Sequence, residues 1–449
     1  NDSPNVILIT IDTLRADHLS CYGYDRETSP NIDRIAKESV LFKNAISPSS
    51  WTTPTHMSIL TGLYPTAHGV IDTNHKMAED RITIAERLKE HGYKTAAFIS
   101  APGMMPYELG YGQGFDTYDD YTVTLDIEHD LFSLNPEHMG QNNRHMSPLT
   151  DRMVGEWLKR NYRDKFFIFV HYWDVHGDYS PPEEYAKLFD SDYKGKFKGV
   201  QQDIDNIKPG IKDEDLRHML ALYDGEIRYV DEYIGRLWDR LKELDLLENT
   251  ILIIAADHGE EFLEHNSHWH GHTLYDELIH VPLIIYYPNV FPKGKTIDTQ
   301  VGTIDIVPTV LELAKIEPND TIGGQSQKTG QSPTLHGRSL VSLIDGKTEE
   351  AKAYSETSIQ EGYRSVRTGR FKMIYRVKDE KKELYDLKGD PEELIEVSKT
   401  RQDEVKVLSK SLFDWFDKTK EYVTGHSKGK WTEPDEEKKK KLKSLGYLQ

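Results

Sequence analysis

The chain has 449 residues, a formal net charge of −19 and a mean hydropathy of −0.65. Its length allows one large domain and a smaller one, and its composition, 37% hydrophobic and 29% charged, is typical of a globular protein. No apolar run approaches the roughly 20 residues that span a bilayer, and the acidic excess argues against binding of a nucleic-acid polymer. The single cysteine, Cys21, excludes an internal disulfide and a multi-cysteine zinc site. These features predict a soluble protein, either cytoplasmic or secreted with its signal peptide removed.

Short apolar runs alternate with segments of helical spacing. The predicted buried strands are NVILITID (5–12), KTAAFIS (94–100), KFFIFVHYWD (165–174), NTILIIAADHG (249–259) and HVPLIIYYP (280–288). The predicted helices are SPNIDRIAKESVLF (29–42), TIAERLKEHGY (83–93), LTDRMVGEWLKRNY (149–162) and the long segment 216–247. Strands that alternate with helices predict an α/β fold, with a large and mostly parallel sheet sandwiched by helices.

The later part of the chain has a different pattern. Residues 187–215 are polar and are predicted to be an inserted loop, and residues 316–337 an exposed connection. YRSVRTGRFKMIYRV and KELYDLKGDPEE are typical of strands separated by turns, and VKVLSKSLFDWFDKT of a helix. We therefore predict a catalytic domain over residues 1–349, then a smaller C-terminal α+β subdomain, an antiparallel sheet plus helix, with a tail over residues 350–449.

Two polar positions lie next to these apolar runs. Asp12 follows the first strand, at the end of an open α/β sheet where ligands bind, although an aspartate there can also cap a helix. In SSWTTPTHMSILTG (49–62), hydroxyl residues including Thr52 precede an apolar turn. They suit a helix N-cap, but a hydroxyl at a helix N-terminus also lies where an anion is stabilised. Both interpretations of each position are open at this point.

Histidines and carboxylates are concentrated in two later segments. HYWDVHGDYSPP contains His171, Asp174, His176 and Asp178, and AADHGEEFLEHNSHWHGHTLYDE contains Asp257, His258, His265, His268, His270 and His272. A mixture of carboxylate and imidazole ligands favours zinc or manganese, whereas calcium would use the carboxylates and few of the imidazoles. The sequence therefore predicts one or two divalent metal ions, with zinc or manganese favoured and calcium or magnesium as alternatives.

Together these motifs resemble the alkaline-phosphatase superfamily, in particular its sulfatase-like branch. IDTLRADHLSCYGY, TTPTHMSILTGLYPTAHGV, ADHGEEFLEH and LYDELIHVPLIIY match that branch in order over roughly the first 310 residues. YRSVRTGRFKMIY with ELYDLKGDPEE resembles its C-terminal subdomain. The resemblance implies a metal-dependent hydrolase of phosphoric or sulfuric esters.

The sequence departs from the branch at its nucleophile. The motif C/S-x-P-x-R, whose first residue is oxidised to formylglycine, aligns with Thr52, Pro54 and His56. Because threonine carries a methyl group on Cβ, no formylglycine is expected. Family members with an unmodified threonine include nucleotide phosphodiesterases, phosphoethanolamine transferases and lipoteichoic-acid synthases, which act on phosphorus. The resemblance thus implies a phosphate- or phosphonate-ester hydrolase, a phosphodiesterase or phosphomonoesterase, with a phospho-threonine intermediate.

The resemblance also implies roles for individual residues. Two family features of the sulfate pocket are missing, because the usual aspartate pair is reduced to Asp12-Thr13 and the lysine before the Y-[DE] motif is absent. The implied metal ligands are Asp12, Thr52, Asp257 and His258 at one site, with His176, His270 and Asp174 at a second site or in substrate binding. The implied catalytic residues are Thr52, His56, His176 and His270. The implied substrate-binding residues are His171 and His272.

Three alternative functions are open. One is a sulfuric-ester hydrolase that uses Thr52 without formylglycine. A second is a transferase, although such enzymes usually carry membrane helices. A third, of a different class, is a non-catalytic metal- or glycan-binding protein on the same scaffold. The expected partner is a small-molecule, glycan or lipid-headgroup ester, and neither the natural substrate nor the oligomeric state is specified by a motif.

Overall fold

The computed structural model of the protein describes residues 3–78, 80–101, 103–120, 145–318, 335–346, 351–359, 362–424 and 430–431. Its strands are β1 (Asn5–Ile11), β2 (Val40–Ile46), β3 (His75–Lys76), β4 (Lys94–Ile99), β5 (Thr117–Asp119), β6 (Phe166–Tyr172), β7 (Thr250–Ala256), β8 (Glu261–Phe262), β9 (His268–Trp269), β10 (His280–Tyr286), β11 (Lys295–Ile297), β12 (Val301–Gly302), β13 (Ala353–Thr357), β14 (Tyr363–Arg367), β15 (Phe371–Arg376), β16 (Lys382–Asp386) and β17 (Lys430–Trp431). Its α-helices are α1 (Pro30–Ala36), α2 (Thr52–Thr61), α3 (Pro65–His68), α4 (Ile84–Glu90), α5 (Ser147–Asn161), α6 (Glu183–Ala186), α7 (Gln201–Asp205), α8 (Asp213–Glu243), α9 (Asp276–Ile279), α10 (Ile306–Leu313) and α11 (Gln402–Thr424).

One large sheet organises the first two thirds of the chain. In the described ranges it has nine strands, in the order β11-β2-β10-β7-β1-β6-β4-β5, with β12 also paired to β2. The strands pair in parallel, except that β10 runs antiparallel to both β2 and β7. Every residue of β1, β6 and β7 is buried, as expected for parallel strands covered by helices on both faces. The predicted α/β fold is confirmed.

Two sequence-based boundaries differ from the structure. The helix predicted over residues 29–42 ends at Ala36. The last three residues of that range, Val40, Leu41 and Phe42, begin strand β2 instead. Ser39, between the two elements, donates a hydrogen bond to the Ile35 carbonyl at 2.7 Å, and the apolar run after it is buried between β10 and β11. Strand pairing thus overrides helical spacing in this segment. The predicted loop 187–215 contains the short helix α7 and the first turn of α8.

A smaller antiparallel sheet, β13-β14-β15-β16, follows the large one. The helix α11 packs on β14 and β15, and its buried Leu412 and Trp415 share a core with Val366 and Met373. This sheet and helix confirm the predicted C-terminal α+β subdomain. The predicted boundary at residue 350, most of the 316–337 connection and the charged tail lie outside the described residues.

The small sheet also contacts the segment that leads into α2. The backbone N–H of Glu356 donates to the Pro48 carbonyl at 2.9 Å, and the Ser355 hydroxyl donates to the Ser47 carbonyl at 2.6 Å. These bonds fix the chain just before Thr52. Among the described residues, no helix combines the length and the apolar composition that crossing a bilayer requires.

Candidate active site

Polar side chains follow the carboxyl ends of two central strands, β1 and β7, and lie at one edge of the sheet. β1 and β7 are parallel neighbours, so Asp12 after β1 and Asp257 with His258 after β7 emerge side by side. Ligand-type atoms of these three residues all lie within 4.8 Å of one another, and in the described part of the chain no other three carboxylate, imidazole or thiol groups do so. We call Asp12, Asp257 and His258 the cluster.

Backbone groups orient the cluster. Asp257 Oδ1 accepts hydrogen bonds from the N–H groups of Thr13, at 3.3 Å, and His258, at 2.9 Å. Its Oδ2 therefore faces the cluster, 3.3 Å from His258 Nε2. His258 Nδ1 lies 2.9 Å from the carbonyl oxygen of Gly259. Because a carbonyl only accepts, Nδ1 carries the proton and Nε2 presents its lone pair to the carboxylates.

The cluster fits a divalent cation. Both carboxylate oxygens of Asp12 and Oδ2 of Asp257 are buried without a hydrogen bond of ordinary geometry. Burial raises the pKa of both carboxyls, and for Asp257 the neighbouring charge of Asp12 raises it further. Burial also lowers the pKa of His258, so the ring is neutral and able to bind a metal. Two adjacent buried carboxylates are costly without a counter-charge, and two oxygens with one imidazole nitrogen are donors that a divalent cation takes.

Thr52 lies beside the cluster at the start of α2. Its Oγ1 is 3.1 Å from His258 Nε2. The N-cap residue of α2 is Trp51, and no side chain caps the helix, so the structure does not give Thr52 the alternative role of N-cap. The first N–H groups of a helix have no intrahelical acceptor and attract an anion. The hydroxyl therefore lies at a helix N-terminus, where an anion is stabilised.

His56 lies one turn further along α2. Its Nδ1 donates to the Thr52 carbonyl at 2.8 Å and lies 3.5 Å from Asp257 Oδ2. Burial lowers the pKa of His56 well below its ordinary value, so the ring is neutral. A neutral ring cannot supply the charge of the arginine that occupies this position in the family motif; here it holds the turn that carries Thr52.

Two further imidazoles lie next to the cluster. The ring centroids of His258 and His270 are 4.3 Å apart, and those of His176 and His270 are 5.1 Å apart. His176 Nδ1 donates to the Gly177 carbonyl at 2.8 Å, and His270 Nδ1 donates to Glu260 Oε1 at 3.0 Å. Burial lowers the pKa of His176, so its ring is neutral and Nε2 is its acceptor nitrogen. The structure thus brings together His176 and His270, two of the residues for which the resemblance implies a second metal site or substrate binding.

Two predicted site residues have other partners. Both oxygens of Asp174 accept hydrogen bonds at the start of α5, from the N–H groups of Met146 and Ser147 and from the Ser147 hydroxyl. We therefore leave Asp174 out of the ligand set, because its oxygens are occupied by a helix N-terminus. His272 Nε2 lies 2.8 Å from Glu261 Oε2, so its ring is paired with a carboxylate outside the cluster.

Sequence reasoning missed Glu260 and Thr10. Glu260 is fully buried, holds His270 and accepts a hydrogen bond from the Tyr179 hydroxyl at 2.9 Å. It comes two residues after His258, so its place next to the Asp-His pair was the available signal. Thr10 lies two residues before Asp12, and alternate residues of a strand share one face. For Thr10 the available signal was therefore its place on the same face of the chain as Asp12.

The loop that carries His270 is tied down by a charged histidine. His265 Nδ1 lies 2.6 Å from Glu277 Oε1, and its Nε2 lies 3.1 Å from the Glu393 carbonyl. Both partners accept, so both nitrogens carry protons. Although burial opposes it, the hydrogen bond and charge of Glu277 raise the pKa of His265 to about 9.

This pair predicts a pH-dependent stability. A histidine with a raised pKa stabilises the fold fully below its unfolded pKa, 6.5, and that contribution is lost as the pH rises through about 9. We expect His265→Gln to lower the free energy of unfolding by about 1 kcal/mol at pH 6, a value reduced by solvent screening, and by much less at pH 10. Urea titrations at the two pH values measure this, and an equal loss at both would contradict it.

Two family models and several known proteins match this chain. The Sulfatase family model matches residues 4–316, and the model of the N-sulphoglucosamine sulphohydrolase C-terminal region matches residues 264–421. The N-acetylglucosamine-6-O-sulfatase of Bacteroides thetaiotaomicron is 25% identical over 87% of this chain and 82% of its own. The arylsulfatase of Clostridium perfringens is 26% identical over 87% of this chain and 89% of its own.

A solved structure shows the same fold. The phosphonate monoester hydrolase of Agrobacterium radiobacter superposes with a TM-score of 0.74 at 20% identity, over 94% of this chain and 96% of its own. The Sulfatase model covers well over half of the chain, and it includes Asp12, Thr52 and the Asp257-His258 pair. The chain therefore belongs to the sulfatase family of hydrolases.

Proposed function

We propose that the protein is a metal-dependent hydrolase of phosphoric or phosphonic esters that uses Thr52 as its nucleophile. The observation that carries the proposal is the Thr52 hydroxyl, 3.1 Å from His258 Nε2 in the first turn of α2. Its Cβ methyl group blocks oxidation to formylglycine, so the side-chain oxygen itself is the attacking atom available.

Asp12, Asp257 and His258 would hold the divalent cation. The imidazole favours zinc or manganese over calcium or magnesium. When bound, the cation supplies positive charge that lowers the pKa of a nearby hydroxyl and offsets the two buried carboxylates. His56, through its bond to the Thr52 carbonyl, keeps the nucleophile's turn in place.

In the first step Thr52 Oγ1 attacks phosphorus. The Thr52 hydroxyl gives its proton to water as a Thr–O–P bond forms. The bond from phosphorus to the alcohol oxygen breaks, and that oxygen leaves with the bonding pair and takes a proton from water. The N–H groups of Thr52 and Thr53 at the start of α2 donate to the non-bridging oxygens as charge develops on them. The product of this step is a phospho-threonine.

In the second step water attacks phosphorus and the Thr–O–P bond breaks, so that Thr52 Oγ1 leaves with the bonding pair and takes a proton from water. Burial lowers the pKa of His176 well below its ordinary value, so its ring is neutral and can take the proton that the water gives up. His270, held by Glu260 through Nδ1, lies next to His176 and is placed beside the same water. The His176 ring accepts a proton in this scheme, whereas protonation of the leaving group falls to solvent.

Tryptophan rings near these histidines suit the organic part of an ester. Trp173 stacks on His176 with ring centroids 3.9 Å apart, and the centroid of Trp269 lies 6.0 Å from that of His176. Both tryptophans are half-buried. A small-molecule, glycan or lipid-headgroup ester would find apolar ring faces there.

A panel of chromogenic esters tests the proposal. We expect the metal-loaded protein to hydrolyse p-nitrophenyl phosphate, p-nitrophenyl phenylphosphonate or bis-p-nitrophenyl phosphate at least about tenfold more efficiently than p-nitrophenyl sulfate, because the nucleophile is an alcohol oxygen rather than a formylglycine hydrate. The measurement is kcat/KM for each ester. A preference for the sulfate would contradict the assignment to phosphorus.

Sulfuric-ester hydrolysis by the same Thr52 is the second candidate. The names of the relatives favour it, since they include sulfatases of N-acetylglucosamine and of aryl esters. The same cation site and helix N-terminus could hold a sulfuric ester, so the ester panel decides between the two.

A further inference from the structure

A buried threonine connects the nucleophile's turn to the cluster. Thr10 Oγ1 lies 3.0 Å from His56 Nε2 and 3.0 Å from His171 Nδ1. Thr10, His56 and His171 are each 0% exposed, and we call them the Thr10 bridge. No step of the proposed mechanism uses Thr10 or His171.

The fold places these side chains together. Thr10 and His171 are register partners on the paired strands β1 and β6, so their side chains stand side by side on one face. Asp12 is two residues after Thr10 on that same face. His56, on α2, packs against this face of the sheet, and its ring centroid lies 4.5 Å from that of His171. The bridge therefore spans from Thr52, which His56 contacts, to Asp12.

The carbonyl of Thr52 sets the direction of every hydrogen bond in the bridge. Because His56 Nδ1 donates to that carbonyl, the neutral ring accepts at Nε2, and it accepts the single proton of the Thr10 hydroxyl. Thr10 Oγ1 can then only accept from His171, so His171 Nδ1 carries the proton. His171 Nε2 is buried and has no hydrogen-bond acceptor in ordinary geometry, so this nitrogen is the unprotonated one of the ring.

The far end of the bridge thus presents a lone pair to the cluster. His171 Nε2 lies 3.3 Å from Asp12 Oδ2, and neither atom has a hydrogen bond of ordinary geometry. A lone pair and a carboxylate oxygen at this distance repel each other unless a cation lies close by. In the other tautomer His171 would donate a hydrogen bond to Asp12 and stabilise the cluster without a cation. The bridge excludes that tautomer.

We propose that Thr10 is a positioning residue that raises the affinity of the cluster for a divalent cation, by dictating which nitrogens of His56 and His171 carry protons. The inference rests on the cation site of the proposed function but not on which ester is cleaved. Outer-shell partners of this kind typically change metal affinity by about 10- to 100-fold.

Cation binding to the full chain, stripped of metal, tests the proposal. Thr10→Val keeps the shape and removes the hydroxyl, and Thr10→Ser restores it. We expect Thr10→Val to raise the Kd for Mn²⁺ and Zn²⁺ at least about tenfold, and Thr10→Ser to return it close to wild type. The matched control is Thr250→Val, which removes the buried hydroxyl that donates to the Leu246 carbonyl at the amino end of β7. The measurement is isothermal titration calorimetry.

The outcomes separate this proposal from the proposed function. A Thr10→Val protein that binds both ions within twofold of wild type would overturn the role of Thr10 and leave the cation site intact. A wild-type protein that binds neither ion would overturn both.

A second measurement needs no Thr10 variant. In ¹⁵N-histidine-labelled, metal-free wild type, imidazole ¹⁵N shifts should show His171 protonated at Nδ1, with the signal assigned by its loss in His171→Gln. Protonation at Nε2 instead would overturn the proposal even if Thr10→Val fails to fold.

Discussion

Thr52→Ala is expected to lower the turnover of phosphorus esters by at least about 10³-fold. In the proposed mechanism the substitution removes the oxygen that attacks phosphorus, while Asp12, Asp257 and His258, which would hold the cation, remain. The N-terminus of α2 also remains, so the ester should still bind and KM should change less than kcat. The measurement is kcat and KM on the best phosphorus ester of the panel, together with cation affinity by calorimetry.

The neighbouring residue provides a matched control. Thr53 is also fully buried in the first turn of α2, and its hydroxyl has no hydrogen-bond partner, so Thr53→Ala should stay within about threefold of wild type. Rapid acid quenching of wild type with substrate should give a peptide phosphorylated on Thr52, and Thr52→Ala should give none. Wild-type turnover in Thr52→Ala would show that another group, or water directly, attacks the ester.

The core of the site follows from sequence because strand ends are predictable. Asp12, Asp257 and His258 each follow an apolar run long enough to be a buried strand, and the carboxyl ends of parallel strands meet at one edge. The family motif places Thr52 at the start of a helix, and α2 begins there. Local patterns were sufficient for these residues, since each is defined by its own strand or helix.

The remaining partners depend on contacts between distant segments. Asp174 has the residue type and spacing of a ligand, but it binds the start of α5, 27 residues earlier in the chain. Thr10 looks like one more residue of an apolar strand, and only the pairing of β1 with β6 and the packing of α2 reveal its two imidazole partners. No local pattern carries such information, because it arises from strand order and helix packing.

In the proposed mechanism the neutral His56 would change how the charge of a bound ester is balanced. In the family motif this position is an arginine, whose guanidinium is always charged. Here the ring donates to the Thr52 carbonyl and accepts from Thr10, and burial lowers its pKa. The negative charge of the ester must then be balanced by the cation and by the helix N-terminus. Cation binding should therefore matter more to this protein than to a relative with the arginine.

Asp257→Asn is expected to abolish cation binding and yet to stabilise the metal-free protein. Asparagine keeps an oxygen for the N–H groups of Thr13 and His258, and its NH₂ group would take the place of Oδ2, which faces His258 Nε2 at 3.3 Å. The change removes one of two adjacent buried carboxylates. Because burial and the charge of Asp12 raise its pKa, the ionised carboxyl costs stability above its unfolded pKa, and that cost disappears in the variant.

Thermal unfolding in EDTA and in Mn²⁺ measures both effects. The control is a second buried aspartate, Asp276, whose replacement by asparagine is expected to lower the free energy of unfolding. In EDTA at pH 8 we expect Asp257→Asn to be more stable than wild type by about 2 kcal/mol. Added Mn²⁺ should raise the Tm of wild type alone. Asp276 is paired with Arg367 and with the fully buried Lys372, each at 2.8 Å. Lys372 keeps a second partner, Glu393, at 3.0 Å, so Asp276→Asn should lose about 3 kcal/mol by leaving Arg367 without its carboxylate partner. If Asp257→Asn also lost stability in EDTA, its carboxylate would be a structural partner like Asp276 rather than a ligand held ready for a cation.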